Sequence, residues 1–320
     1  MTRTPFFPAF AQSPVDLSGL AYIDYNYVLA SPDSGEAGSN GFTYRRLYLT
    51  ADYRLDDSFS GRARVEVSNS STTAQGRPSP FIKDLYVTWS NALGHGHHLT
   101  LGVTAPPSFT VSERFWGFRS LEATIMDRNR IVSSRDFGIV ASGPLEASRR
   151  FRYAVMFADN EGVNQERDKD KRLYGQLEWH QPDGRAVATA GIDYAGYTGE
   201  LDRGVNFPVF LGVDLERFRL GAEAFYNRIT FDAGGDEVFA GLSVFGLVRL
   251  TTRWNGVARY DRFSTEIGSN RSHADYAIIG LEFHPNPNVH IMPNFEFTRS
   301  AANADMLVNG RLTVHVDFGT

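Results

Sequence analysis

From Leu312 to Phe318 every second residue is apolar: Leu312, Val314, Val316 and Phe318 alternate with Thr313, His315 and Asp317. A strand carries successive side chains on opposite faces, so this segment has one greasy face and one wet face. The same period returns along the whole chain, between breaks made by Gly, Pro, Asn, Asp or Ser. It predicts sixteen strands. Those of the first half are 17–30, 42–55, 59–70, 81–91, 98–105, 135–144, 151–159 and 172–181. Those of the second half are 185–198, 206–215, 217–231, 237–249, 250–263, 274–284, 289–300 and 310–318. An even number of antiparallel strands returns both ends of the set to the same side.

The connections alternate in length. Short ones are 56–58, 182–184, 216 and 285–288, while 31–41, 71–80, 160–171, 264–273 and 301–309 are longer. A transmembrane barrel has this phase, with short turns on the side of the termini and longer loops on the other. Apolar residues make up 42% of the chain, yet no apolar run approaches the ~20 residues that a membrane-spanning helix needs. The predicted fold class is all-β: a transmembrane antiparallel β-barrel of 16 strands, occupying 12–320 as a single domain. Ala9-Phe10-Ala11 has the form of a signal-peptidase site, so 1–11 reads as the remnant of an export signal. Both features point to the bacterial outer membrane, with its lipid as one partner.

The alternation also assigns faces. In 42–55, Leu47, Leu49, Ala51 and Tyr53 point outward while Arg46, Tyr48, Thr50 and Asp52 point inward. In 59–70, Phe59, Ala63, Val65 and Val67 point outward while Arg62, Arg64 and Glu66 point inward. A soluble barrel would put its apolar residues in the middle. Charge in the interior of a sixteen-stranded barrel implies water there. Aromatic residues recur near the turn-side ends of the strands: Tyr53, Phe59, Trp89, Phe151, Trp179, Phe218, Phe283 and Phe318. Such a belt suits the headgroup level of a bilayer.

One connection breaks the length pattern. Residues 106–134 join the fifth and sixth strands and contain Phe109, Phe115, Trp116 and Phe118 with mixed charges, which is wrong for disorder. Short motifs flank it. They are Phe81-Ile82-Lys83-Asp84-Leu85-Tyr86-Val87, Leu99-Thr100-Leu101-Gly102-Val103, Pro106-Pro107, Ser112-Glu113-Arg114 and Ser134-Arg135-Asp136-Phe137-Gly138-Ile139 with Gly143. With Tyr44-Arg45-Arg46-Leu47-Tyr48-Leu49, this series resembles the phosphate-selective porin O/P family. The resemblance implies a sixteen-stranded porin, a homotrimer, whose third external loop folds inward and narrows the channel. The chain departs from the family in its cations: of 32 basic residues three are Lys (Lys83, Lys169, Lys171) and 29 are Arg. Phosphate-selective members line their pore with Lys, so that activity does not carry over residue by residue.

An Arg-rich interior remains. Arg46, Arg62, Arg64, Arg253 and Arg259 are expected to line the channel, with Arg54, Arg152, Arg217, Arg219 and Arg249 also inward. Arg114, Arg119, Arg128 and Arg130 are expected at the constriction, facing Arg62 and Arg64, and Arg135 adds to the cations of the inward loop. Rings of Arg favour anions in a narrow pore. The inward acids Asp24, Asp52, Glu66, Asp84, Asp193, Glu223, Asp261, Glu282, Glu296 and Asp317 are as numerous and could simply pair with them. Two channel readings therefore stand: an anion-preferring pore, or a weakly selective one for small hydrophilic solutes. A plugged barrel with a structural or adhesive role is the alternative.

Other chemistry finds little support. The net charge of −5 speaks against a nucleic-acid partner, and the absence of Cys removes disulfides and thiolate metal sites. His95-Gly96-His97-His98 reads as a solvated turn and Asp168-Lys169-Asp170-Lys171 as a solvated charge run. No phosphate-cradling, metalloprotease or nucleophile-elbow motif occurs, so neither a cofactor, a metal nor enzymatic activity is expected.

Overall fold

The computed structural model describes residues 15–33, 35–69, 71–198, 201–300 and 305–319; the expected export-signal remnant, 1–11, lies outside them. The strands of the first half are β1 (Val15–Ala30), β2 (Asn40–Arg54), β3 (Phe59–Ser68), β4 (Phe81–Trp89), β5 (His98–Thr104), β6 (Asp136–Pro144), β7 (Phe151–Ala158) and β8 (Lys171–His180). Then come β9 (Ala186–Gly196), β10 (Leu201–Asp214), β11 (Phe218–Phe231), β12 (Asp236–Arg249), β13 (Trp254–Ile267), β14 (Asn270–Asn286), β15 (Val289–Ser300) and β16 (Leu307–Gly319). Each strand pairs with its neighbours in the chain, and β1 pairs with β16, closing an antiparallel barrel. Two helices, α1 (Pro107–Trp116) and α2 (Ile125–Arg128), lie between β5 and β6.

The period-2 pattern has its expected consequence. On β10, Phe207, Val209 and Leu211 are 45–54% exposed while the intervening Phe210 is 5% exposed. The exposed face is the barrel's apolar outside. At its turn-side edge Phe59 stacks on Trp89 at 5.7 Å and Trp254 on Phe283 at 4.7 Å, each directly opposite its partner.

Several boundaries differ from the sequence reading. The thirteenth strand begins at Trp254, not at residue 250, because Leu250–Arg253 forms a turn. Thr251 Oγ1 accepts the backbone N–H groups of Arg253 (3.2 Å) and Trp254 (3.1 Å), a local bond that competes with strand pairing. The expected loop 264–273 is mostly ladder, since pairing continues out to Ile267 opposite Asn270. Pro208 and Pro293 each lack a ladder donor, which predicts a local bulge or a protomer contact at these positions; the register runs past both without a shift. Gly191 makes room for Pro208: a Cβ there would lie 3.1 Å from its Cγ.

Bulges occur elsewhere. Tyr22 pairs with Arg46 and Ile23 with Tyr44, leaving Arg45 as an extra residue in β2. Arg64 pairs with Asp84 and Val65 with Ile82, leaving Lys83 extra in β4. A bulge re-aims the residue it inserts. Both extra cations turn inward, where Arg45 pairs with Asp24 and Lys83 with Glu66.

The interior is less uniformly wet than its charges suggest. One apolar cluster joins Val111, Trp116, Phe118 and Leu121 to wall residues that include Phe210, Phe245, Val257, Ile278 and Met292. A second joins Phe109, Ile125, Met126 and Val132 to Met156, Ala158, Tyr174 and Phe225. The wall partners come from β7 to β15, so that side of the barrel carries an apolar seat for the long connection.

Candidate functional site

The segment between β5 and β6 starts as a helix for local reasons. Pro107 stands at the first helical position, where no backbone N–H is needed, and Gly117 ends α1 at φ 73°, donating to Glu113 O. The sequence alone predicts 106–134 as loop; the structure places two helices in it.

Hydrogen bonds then fix the segment to inward-pointing side chains of six strands. Ser108 Oγ donates to Asp193 (2.8 Å), Gln176 Nε2 to Pro107 O (2.7 Å), and Ile125 N to Glu223 (3.2 Å). Four successive carbonyls at its tip are all taken. Arg45 donates to Ser120 O, Arg311 to Leu121 O (2.6 Å), Trp116 Nε1 to Glu122 O (2.9 Å) and Arg259 to Ala123 O (2.6 Å). A backbone run without secondary structure is thus satisfied by guanidiniums from β2, β16 and β13 and by one indole.

The opposite wall also carries accessible charge. Arg62 clasps Asp52 with two bonds of 2.7 and 2.9 Å. Arg64 donates to Thr50 Oγ1 (2.9 Å) and pairs with Asp84 (3.0 Å); Arg46 pairs with Glu66 (3.0 Å). The Tyr48 ring lies between two of these cations, 5.4 Å from Arg46 and 4.8 Å from Arg64. Side-chain exposures of 31% for Arg62, 20% for Arg46 and 16% for Arg64 contrast with 1% for Arg259. Water therefore reaches these three guanidiniums and not that of Arg259.

The expected site residues sort accordingly. Arg46, Arg62 and Arg64 stand on the accessible wall. Arg135 joins them at the root of the segment, pairing with Asp84. Arg114 and Arg130 are exposed, and neither makes an ion pair with a described residue. Arg119 is held by Glu113 and Asp127; burial alone would lower its pKa, but these carboxylates raise it above the ordinary range. Arg128 does not face Arg62 and Arg64: it lies 3.8 Å over the Tyr276 ring of β14 and 3.7 Å from Glu122.

Three further assignments are corrected. Arg253 lies exposed in the turn 250–253, outside any strand, because the thirteenth strand starts later than the alternation suggested. Arg259 points inward but sits beneath the segment, bonded to Asp261 and Ala123. Arg217, also expected inward, precedes β11 and is exposed in a turn. The reading missed Arg45, Lys83 and Arg311. Arg45-Arg46 and Lys83-Asp84 are adjacent charged pairs in mid-strand, where strict alternation would push one of each into lipid. That conflict is the signal that marks the two bulges.

No family model matches the chain, and no curated protein does so either. Solved structures share its fold. The outer membrane channel DcaP of Acinetobacter baumannii has a TM-score of 0.71 at 13% identity, covering 98% of this chain and 99% of its own. An anion-selective porin from Comamonas acidovorans has a TM-score of 0.70 at 15% identity, covering 96% and 100%. Salmonella typhi OmpF, solved with daunomycin, has a TM-score of 0.71 at 11% identity, covering 96% and 98%. At these identities the likeness is one of fold.

Proposed function

We propose that the chain is a porin of the bacterial outer membrane, forming a water-filled channel for passive diffusion of small hydrophilic solutes, with a preference for anions. The observation that carries this reading is the division of the interior. The segment 106–134 is seated on apolar wall residues, while Arg46, Arg62 and Arg64 keep solvent-accessible guanidiniums on the other side. That segment acts as the constriction, and solutes pass between it and the β2–β3 wall. The apolar exterior and its aromatic edge suit a bilayer. The DcaP and anion-selective porin folds support the channel reading by likeness.

The motifs shared with the phosphate-selective porin O/P family meet at the root of the segment. Lys83 donates to Ser134 (2.9 Å), and Arg135 pairs with Asp84. Family membership at that level, and anionic solutes, belong to this proposal. A homotrimer does too: an apolar groove of about 640 Å³ on the outside, floored by Gly246, Gly256 and Gly280, offers a surface for a protomer contact. No catalytic role and no nucleic-acid partner enters this reading.

One observation favours the plugged, structural barrel instead: the segment is pinned from six strands. Planar-bilayer recording separates the two. The channel reading expects stepwise conductance, and in a salt gradient a reversal potential on the anion side that moves toward cations in Arg62→Glu/Arg64→Glu. An absence of steps from a folded barrel supports the plug.

A further inference from the structure

At the turn-side end of the interior, three adjacent strands bring imidazoles and carboxylates together. His290 on β15 and His315 on β16 are directly paired, their rings stacked 5.1 Å apart at 21°. Asp317 lies two residues beyond His315 on the same face, with Oδ1 3.2 Å from His315 Nε2. One ligand atom from each of His290, His315 and Asp317 lies within 4.8 Å of the others. Two imidazoles and a carboxylate suit a divalent transition cation, zinc above all, with a further position left for water.

A second observation points the same way. Metal-bound histidines usually donate their other ring N–H to a carboxylate, which fixes the tautomer and aims the free nitrogen. His290 has that partner: its Nδ1 lies 2.7 Å from Glu282 Oε1, and Asn255 Nδ2 holds the other Glu282 oxygen at 2.5 Å. With Nδ1 held by Glu282, Nε2 is the nitrogen His290 would offer to a metal. The Tyr22 ring abuts His315 edge-on at 4.9 Å and limits its rotation. Side-chain exposures of 22% for His290, 18% for His315 and 47% for Asp317 leave the site open to the interior water.

We propose that His290, His315 and Asp317 form a divalent transition-metal site at the turn-side mouth of the barrel, with Glu282 positioning His290. Bonds of about 2.0–2.2 Å require ligand atoms roughly 3.3–3.5 Å apart. His315 Nε2 and Asp317 Oδ1 already stand 3.2 Å apart, and all three atoms lie within 4.8 Å, so small side-chain rotations complete the site. The bound ion would add positive charge to a wall otherwise rich in carboxylates. This inference does not depend on the channel reading, because binding is measured on the folded barrel without any transport assay.

Isothermal titration of the full chain in detergent micelles, freed of metal by a chelator, with zinc chloride alone tests it. We expect saturable binding of one zinc ion per chain, lost in His290→Ala and in His315→Ala. Glu282→Gln removes no ligand and should weaken affinity by about 10–100-fold. His97→Ala/His98→Ala should leave it unchanged. Heat-modifiable electrophoretic mobility checks that each variant is a folded barrel. An absence of saturable binding in the parent overturns the site. Undiminished binding in folded His290→Ala or His315→Ala, or in folded Glu282→Gln, does so equally.

Discussion

Arg259 Nη1 donates to the carbonyl of Ala123 across 2.6 Å, joining β13 to a segment 136 residues earlier in the chain. The same guanidinium clasps Asp261 with bonds of 2.8 and 2.7 Å, and each side chain is only 1% exposed. Removing one partner of a buried pair leaves an uncompensated charge and typically costs about 3–5 kcal/mol. Arg259→Met should therefore lower unfolding stability by about that amount, read by denaturant titration in detergent. The Ala123 carbonyl is freed at the same time, so channels from the folded fraction should be noisier and more conductive. Arg259→Met/Asp261→Met should recover most of the stability without restoring the quiet channel. A destabilised variant with parental conductance would show that this bond does not hold the segment in place.

What the sequence made legible was whatever depends on period and punctuation. The strand number, the closure and the outward face follow from alternation, because one residue of slip would turn every Leu47, Leu49 and Ala51 from lipid to water. Bulges are invisible to that rule, which is why Arg45 and Lys83 were assigned no role. Arg259 was read correctly as inward yet wrongly as wetted. Alternation gives a side chain's direction and says nothing of what lies on top of it. The segment above it is placed by contacts of long sequence separation, such as Ser120 to Arg45 and Leu121 to Arg311. Its helices escape the sequence reading because Phe109, Phe115, Trp116 and Phe118 mark order there without giving a period. The cluster of His290, His315 and Asp317 draws on two strands and has no local motif to reveal it.

Gly102 sets a backbone requirement within the Leu99–Val103 motif. It stands at φ 134°, and a Cβ there would lie 2.1 Å from the Leu85 carbonyl oxygen. Neither the conformation nor the space suits an L side chain. Gly102→Ala should disturb β4–β5 pairing and cost at least the ~1–3 kcal/mol of a strained backbone residue. Folding yield into micelles, followed by heat-modifiable mobility, should fall accordingly. Gly38→Ala is a useful comparison, since its φ is also positive at 86° but nothing lies within 4 Å. If both variants fold alike, the close approach to Leu85 is not what Gly102 serves.

The turn between β6 and β7 should respond to acid. Glu146 accepts from the Ser148 hydroxyl and from the backbone N–H groups of Ser148 (2.9 Å), Arg150 (2.6 Å) and Phe151 (3.1 Å). These bonds, the Ser148 hydroxyl first, push its pKa down to about 2. A carboxylate depressed in the folded state contributes stability above its unfolded pKa, and that contribution is lost as pH falls through the folded value. Protection of the Ser148, Arg150 and Phe151 amides from hydrogen exchange should hold at pH 5 and decline toward pH 2. In Glu146→Gln the protection should be lower at pH 5 and nearly independent of pH. A parental turn equally protected at both values would contradict the assignment to Glu146.

Charge selectivity should depend on which cations are left unneutralised. A paired guanidinium presents a weaker net field than a lone one, which acts on a passing ion with about 1 kcal/mol at 4 Å in water and more where water is scarce. Arg119 is clasped by Glu113 and Asp127, and Arg128 lies against Tyr276 near Glu122. Arg114 and Arg130, by contrast, are exposed without an ion pair to any described residue. Arg114→Glu/Arg130→Glu should therefore shift the reversal potential toward cations in a salt gradient, and further than Arg119→Gln/Arg128→Gln does per unit of charge removed. Added salt should shrink the shift, as screening requires. Arginine keeps its proton across the accessible pH range, so this contribution should be nearly flat with pH. A reversal potential unchanged in the Arg114/Arg130 variant, with conductance intact, would move the origin of selectivity from the segment to the wall at Arg46, Arg62 and Arg64.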